Sequence, residues 1–215
     1  MQGVVVTRPR ERVRFARSIA QMYHLRAEVF GTRLNWDVAC VDGEERDEFD
    51  ELDPVYVMIR SASGQVEASC RLLPTTGPYM LKDVFPQLLG GREPPRDELV
   101  WEVSRFIVVP SDQGKGGLGS IHRITQELLI QLIAVGLTNN LSSILAVTEV
   151  RFERVLRRAG LMMERYCAPM PIGDTRGVAG WTPVTLENLA GLMTRHSQLL
   201  RDDAHLPTQY EEEAA

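Results

Sequence analysis

Apolar and polar positions in this chain repeat with two different periods, and the switches between them mark its elements. The apolar run VVVT near the start predicts a first strand. Across residues 11–30 the spacing changes: Phe15, Ile19, Met22, Arg26 and Val29 lie 4, 3, 4 and 3 apart, one stripe of a helix, with Gly31 as its stop. VYVMIR and VEASCRLL, joined by the turn SASGQ, predict a β-hairpin. Residues 74–97, rich in proline and glycine, predict loops around the short apolar piece LKDVFPQLL. LVWEVSRFIVV is another strand. SDQGKGGLGS then leads into a long amphipathic helix over residues 120–137. SSILAVT follows as a strand, and FERVLRRAG as a helix ending at Gly160. In that helix Phe152, Val155, Leu156 and Ala159 face the core. Strands beyond residue 160 are not legible. Alternating strands and helices without a linker predict one α/β domain over residues 1–205, with helices covering a central sheet. The acidic end, residues 206–215, is expected to be disordered.

Several charged residues break this pattern. Arg26 lies on the apolar stripe, either snorkelling or buried against a carboxylate. The run DGEERDEFDELDP is dense in acid, yet Phe49 and Leu52 are interleaved, so Asp47 and Asp50 can face inward. Arg71 sits in a strand. In LVWEVSRFIVV, strict alternation puts Glu102 and Ser104 with Val100, Phe106 and Val108, and Arg105 with Trp101, Val103 and Ile107. A site shared by Glu102 and Arg105 therefore requires a bulge, a twist or a long reach. Glu102, among apolar neighbours, should have a raised pKa. Arg151, Arg154 and Arg158 form a basic stripe that is either merely solvated or a dock for an acidic partner.

Composition removes other classes. The net charge of -5 argues against a nucleic-acid binder. Cys40, Cys70 and Cys167 are far apart, which fits a reducing compartment and gives no disulfide framework. The four histidines have no metal-ligand spacing, so no metal is expected. ELLIQLIAVGL is too short to span a bilayer and no secretory signal opens the chain, so a cytoplasmic protein without a membrane segment is expected. The glycine-rich connection matches neither nucleotide-binding fingerprint and is read as a surface loop. Gln113 and Gly116 suit the pyrophosphate loop of Gcn5-type N-acetyltransferases, but Leu118 stands where that loop has glycine or alanine.

Taken in order, RAEVFGTRLNW (Arg26, Phe30, Trp36), DEFD (Asp47, Asp50), CRLLPTT (Arg71) and WEVSRF (Glu102, Arg105) resemble the acyl-homoserine-lactone synthases of the LuxI type. The resemblance runs from about residue 24 to residue 160. It implies a three-layer α/β/α sandwich similar to the Gcn5-type N-acetyltransferases, with a mixed sheet and a V-shaped cleft. It also implies an acyltransferase of quorum sensing. An acyl chain passes from acyl carrier protein, or from acyl-CoA in some relatives, to the amine of S-adenosylmethionine. Lactonisation then releases methylthioadenosine. S-adenosylmethionine is a substrate, so no cofactor is expected, and a monomer is.

On this reading Glu102 is the base, with Ser104 and Arg105 beside it in the catalytic group. Arg26, Phe30, Trp36, Asp47, Asp50, Arg71 and Arg105 hold S-adenosylmethionine. Phe106, Ala146 and Thr148 line the acyl chain. Ala146 occupies the place where the family's 3-oxo enzymes have threonine, which predicts an unsubstituted chain. Arg154 and Arg158 match the family's docking surface for the acidic carrier. Two rivals remain: a Gcn5-type N-acyltransferase using acyl-CoA, and a non-catalytic small-molecule sensor.

Overall fold

A computed structural model describes residues 3–34, 36–109 and 117–204. In chain order its elements begin with β1 (Gly3–Thr7), α1 (Ala16–Arg26), the short pair β2 (Cys40–Val41) and β3 (Glu44–Glu45), β4 (Val55–Arg60) and β5 (Val66–Pro74). There follow α2 (Met80–Asp83), β6 (Val100–Val108), α3 (Gly117–Thr138), β7 (Ser143–Glu149) and α4 (Val150–Ala159). The chain then forms β8 (Glu164–Arg165), β9 (Met170–Ile172), β10 (Thr175–Pro183) and α5 (Leu186–Ala204). The glycine-rich connection and the acidic end lie outside the described residues, apart from the start of α3.

The main sheet runs β1-β4-β5-β6-β7-β10-β8, with β9 paired to β10. Among the described strands only β6 and β7 are parallel neighbours, so the sheet is mixed. One face carries α3, α4 and α5 on a core that includes Val57, Ile59, Cys70, Leu72, Val103, Leu128, Leu132, Leu156 and Leu192. The other face packs Tyr56 and Met58 against Met22 and Tyr23 of α1. This is the expected three-layer sandwich.

The cleft follows from the ladder. β6 pairs with β7 only from Val100–Ser143 to Val103–Ala146, whereas β7 stays paired to β10 as far as Glu149. Beyond Val103 the two parallel strands part and open a V in the sheet. Among the described residues no ladder pair crosses the gap in that stretch, which leaves N–H groups there to meet a ligand.

Three local expectations change. The first helix begins at Ala16 rather than residue 11. It does not stop at Gly31 but continues as π-helical turns over Ala27–Arg33, a widening frequent at functional sites. Residues 40–45 form a hairpin whose turn residues, Asp42 and Gly43, have φ of 53° and 77°. The Asp-Gly pair is the signal for such a turn. Finally, β10 lies inside the sheet, between β7 and the short edge strands β8 and β9. Its Gly177 and Gly180 weaken any strand signal. At Gly180 the glycine is obligatory, because a Cβ would lie 2.3 Å from the Glu164 carbonyl oxygen.

Candidate active site

Strand β6 does not alternate strictly. Arg71 of β5 lies opposite Ser104, and Ser69 opposite Ile107, so two residues of β6, Arg105 and Phe106, face the single Cys70. Arg105 takes φ of 52°, a left-handed conformation in mid-strand. This is a β-bulge. It turns Arg105 to the side of Glu102, Ser104 and Arg71, and sends Phe106 and Val108 to the helix-covered core with Val103. The expected faces therefore hold up to residue 104 and reverse after it. The extra residue is the reason: it shifts a period of two by one.

Around Arg105 the structure gathers an ionic cluster from four segments. Arg26, at the end of α1, is fully buried and donates to Glu45 through Nε at 2.5 Å and to both Asp50 oxygens at 2.9 Å. It is thus the buried, paired arginine and not a snorkelling one. Arg71, also fully buried, donates to Asp50 at 2.9 Å, to both oxygens of Asp47, and from Nε to Ser104 Oγ at 3.0 Å. Arg105 bonds Glu45 at 2.8 Å and Asp47 at 2.7 Å through Nη2. Asp50 additionally accepts from the Tyr56 hydroxyl at 2.7 Å, and its Oδ2 accepts from the Asp47 N–H at 3.0 Å in a capping box. Burial alone pushes the Asp50 carboxyl up. The Arg26 hydrogen bonds and charge outweigh it, with help from Arg71, and hold it well below the usual carboxylate range.

Three guanidiniums (Arg26, Arg71, Arg105) thus meet three carboxylates (Glu45, Asp47, Asp50), and the cluster balances. Its members differ in access. Arg26, Arg71, Glu45 and Asp50 form a buried frame, while the side chains of Asp47 and Arg105 remain 12% and 10% exposed. At this open end Phe30 is stacked on the exposed Trp36, rings 5.1 Å apart, and the Arg105 guanidinium lies 5.3 Å from the Phe30 ring centre.

Glu102 lies on the same face as this cluster and is 1% exposed. Its two oxygens accept from the backbone N–H groups of Met80 and Leu81, each at 2.7 Å. Burial raises its pKa to about 7, against the pull of those two hydrogen bonds and of Arg71. Met80 joins the two halves of the site: its backbone meets Glu102, while its sulfur accepts from Arg71 at 3.5 Å and Arg105 at 3.6 Å.

Not every predicted residue joins this group. Ala146 and Thr148 share one side of β7, and Ala146 packs, like Phe106, on the helix-covered core. They stand across the sheet from the ionic cluster, with the V between β6 and β7 opening beside them. Arg154 and Arg158 lie further off, exposed on α4 together with Arg151 and Arg157. The same helix buries Glu153 against Arg165, a pairing with no sequence signal. Residues missed from the cluster are Glu45, Tyr56 and Met80. An extended backbone puts Glu45 on the same side as Asp47, two residues on, but nothing in the acidic run singles it out.

A model of the autoinducer synthase family matches residues 11–192. The chain belongs to that family. Acyl-homoserine-lactone synthases are its relatives: that of Rhizobium radiobacter is 42% identical over 166 residues, covering 77% of this chain and 78% of the relative. That of Pseudomonas aeruginosa is 39% identical over 163 residues, covering 75% and 80%. Among solved structures, the acyl-homoserine-lactone synthase LasI superposes with a TM-score of 0.79 at 35% identity, over 90% of this chain and 95% of LasI. The CoA-dependent synthase BjaI, solved with S-adenosylmethionine and isopentyl-CoA, gives 0.82 at 25% identity, over 92% and 90%. An N-acetyltransferase structure from Lactobacillus plantarum, at 0.56 and 12% identity, shares the fold alone. This synthase is therefore an acyltransferase that makes an acyl-homoserine lactone, and the readings as a general N-acyltransferase or a sensor fall away.

Proposed function

We propose that this synthase takes an acyl chain unsubstituted at C3 from acyl carrier protein, and that Glu102 deprotonates the amine of S-adenosylmethionine. The observation that carries this reading is the placement of a buried carboxyl with a pKa near 7 on the same face as the bulged Arg105. S-adenosylmethionine bears a sulfonium, an ammonium and a carboxylate, a net single positive charge. The balanced cluster offers it both signs, and ionised Glu102 supplies the one negative charge left over. Bound substrate therefore favours the base form of Glu102.

Asp47 and Arg105, at the open end, meet the substrate's amino-acid part, and Trp36 and Phe30 offer aromatic faces to its sulfonium and adenosine. Arg26, Glu45, Asp50 and Arg71 act through them as positioning residues, and Ser104 does so by holding Arg71. Each Glu102 oxygen keeps a second lone pair beyond its backbone hydrogen bond. Through one of these, directly or by way of a water, it takes the ammonium proton. The freed amine attacks the thioester carbonyl, N–H groups of β6 past Val103 hold the oxyanion, and as the adduct collapses the sulfur leaves as a thiol, taking the second proton of the attacking nitrogen. The substrate carboxylate then displaces methylthioadenosine from the carbon beside sulfur and closes the lactone.

The acyl chain enters through the V toward Phe106, Ala146 and Thr148. The Ala146 methyl offers no hydrogen bond to a 3-oxo group, which supports the unsubstituted chain. The exposed arginines of α4 form a basic strip along a helix face apart from the ionic cluster, which suits the broad surface of an acidic protein and supports the carrier-protein donor. The reading treats residues 1–205 as one cytoplasmic, monomeric domain that needs no cofactor besides its two substrates.

Purified synthase with S-adenosylmethionine and matched donors, unsubstituted and 3-oxo, on acyl carrier protein and on CoA, tests the proposal by mass spectrometry of the products. The higher kcat/KM is expected for the unsubstituted chain on carrier protein. Equal or better turnover of CoA donors overturns the donor assignment, and preference for 3-oxo chains overturns the role of Ala146.

A further inference from the structure

The bulge that brings Arg105 into the ionic cluster also sends Phe106 through to the helix-covered side of the sheet. There its ring meets Phe152, from the first turn of α4, with centres 5.2 Å apart and planes tilted by 54°. The two rings come from opposite banks of the V. Phe106 stands on β6 just past the last pair with β7, and Phe152 follows closely on Thr148 at the end of β7. Both are half-buried and pack on the core. Leu128, Leu129, Leu132, Ile133 and Leu156 are buried in the same core on which both rings pack. A chain threaded through the gap therefore meets an aromatic crossbar packed on a core of aliphatic side chains.

We propose that Phe152 sets the length of acyl chain this synthase accepts, by closing the far end of the acyl site against Phe106. The inference rests on the reading that the chain lies along Phe106 and Ala146. Of the two rings, Phe152 is the one free to tune length. Phe106 follows directly on the bulged Arg105, so altering it disturbs the ionic cluster. Phe152 makes none of that cluster's contacts. Removing its ring leaves an apolar hole at the end of the chain's path, and each methylene that enters such a hole gains about fourfold in kcat/KM or more.

The test is kcat/KM for a series of straight-chain donors differing by two carbons, on acyl carrier protein and on CoA, for wild type, Phe152→Ala, Phe152→Leu and Phe152→Trp. Phe152→Ala is expected to move the optimum to longer chains, raising the ratio of long to short substrates about fifteenfold for each two-carbon step it admits. Phe152→Leu should do so less, and Phe152→Trp should move the optimum to shorter chains. The KM for S-adenosylmethionine should stay put, which a merely loosened fold would not guarantee. A chain-length profile unchanged in shape in the variants that fold, whatever their absolute rates, overturns the proposal. So does failure of all three to fold, because it makes Phe152 a pillar of the core and not a wall of the site. If wild type itself shows no dependence on chain length with either carrier, the underlying placement of the acyl chain fails instead.

Discussion

Glu45 shows at the scale of one residue how this site is held. It is fully buried and accepts from Arg26 and Arg105, so it ties the buried frame to the open end of the cluster. Its removal leaves the cluster with one excess positive charge, shared between Arg105 and the fully buried Arg26, each of which keeps only one carboxylate partner. Such a loss typically costs about 3–5 kcal/mol. Glu45→Ala should therefore lower the unfolding free energy in urea by about that amount, and a change below about 1 kcal/mol would mean that the frame rearranges around the gap. The residue was missed because a run of acid reads as a solvated loop until partners are known. Asp47 and Asp50 were legible through their family motif, and Glu45 carries no such mark.

At the scale of elements, the bulge in β6 is the decisive irregularity. A regular strand would put Glu102 and Arg105 on opposite faces, and Phe106 among the charges. Arg105 accepts a left-handed backbone to avoid this, and its ion pairs with Glu45 and Asp47 offset the strain. The strain is measurable by comparing two variants that both lack the guanidinium. Arg105→Gly should unfold with a free energy higher than that of Arg105→Ala by about 1 kcal/mol, since only glycine adopts φ of this sign freely. If alanine is the more stable, the backbone at 105 is not strained. No sequence pattern announces this bulge, because the residue at its corner is an arginine and not the glycine that marks many bulges. Strand β10 escaped for the opposite reason: its glycines, at least at Gly180, are there to let β8 approach.

Over the whole molecule, the sheet separates two kinds of chemistry and joins them through its cleft. Charges gather on the face under α1 and the β2–β3 hairpin, the proposed acyl wall of Phe106 and Ala146 lies toward the helices, and the basic stripe of α4 sits outside both. Layer order and most strands were legible because burial imposes its period on any sequence that folds this way. The meeting of four segments in one cluster was not, since contacts between distant segments leave no local period; the order of motifs supplied it. The isolation of the α4 stripe gives a prediction of its own. Arg154→Glu with Arg158→Glu should cut kcat/KM for an acyl-carrier-protein donor tenfold or more, that is about 1.4 kcal/mol or above, while turnover of the matching CoA donor is little changed. Equal losses with both donors would remove the docking role from this stripe.

The most direct test of the account is the pH dependence of kcat/KM in wild type and Glu102→Gln. Glu102 works as a base only when ionised, and burial lifts its pKa to about 7. Activity should therefore fall as pH drops below about 7, in step with the ionised fraction of a single group. The substituted amide keeps an acceptor for one of the two backbone N–H groups but takes no proton. The variant should fold, lose about a hundredfold or more in rate, and lack that acid limb. A Glu102→Gln enzyme with the wild-type rate and profile would contradict the assignment of Glu102 as the base.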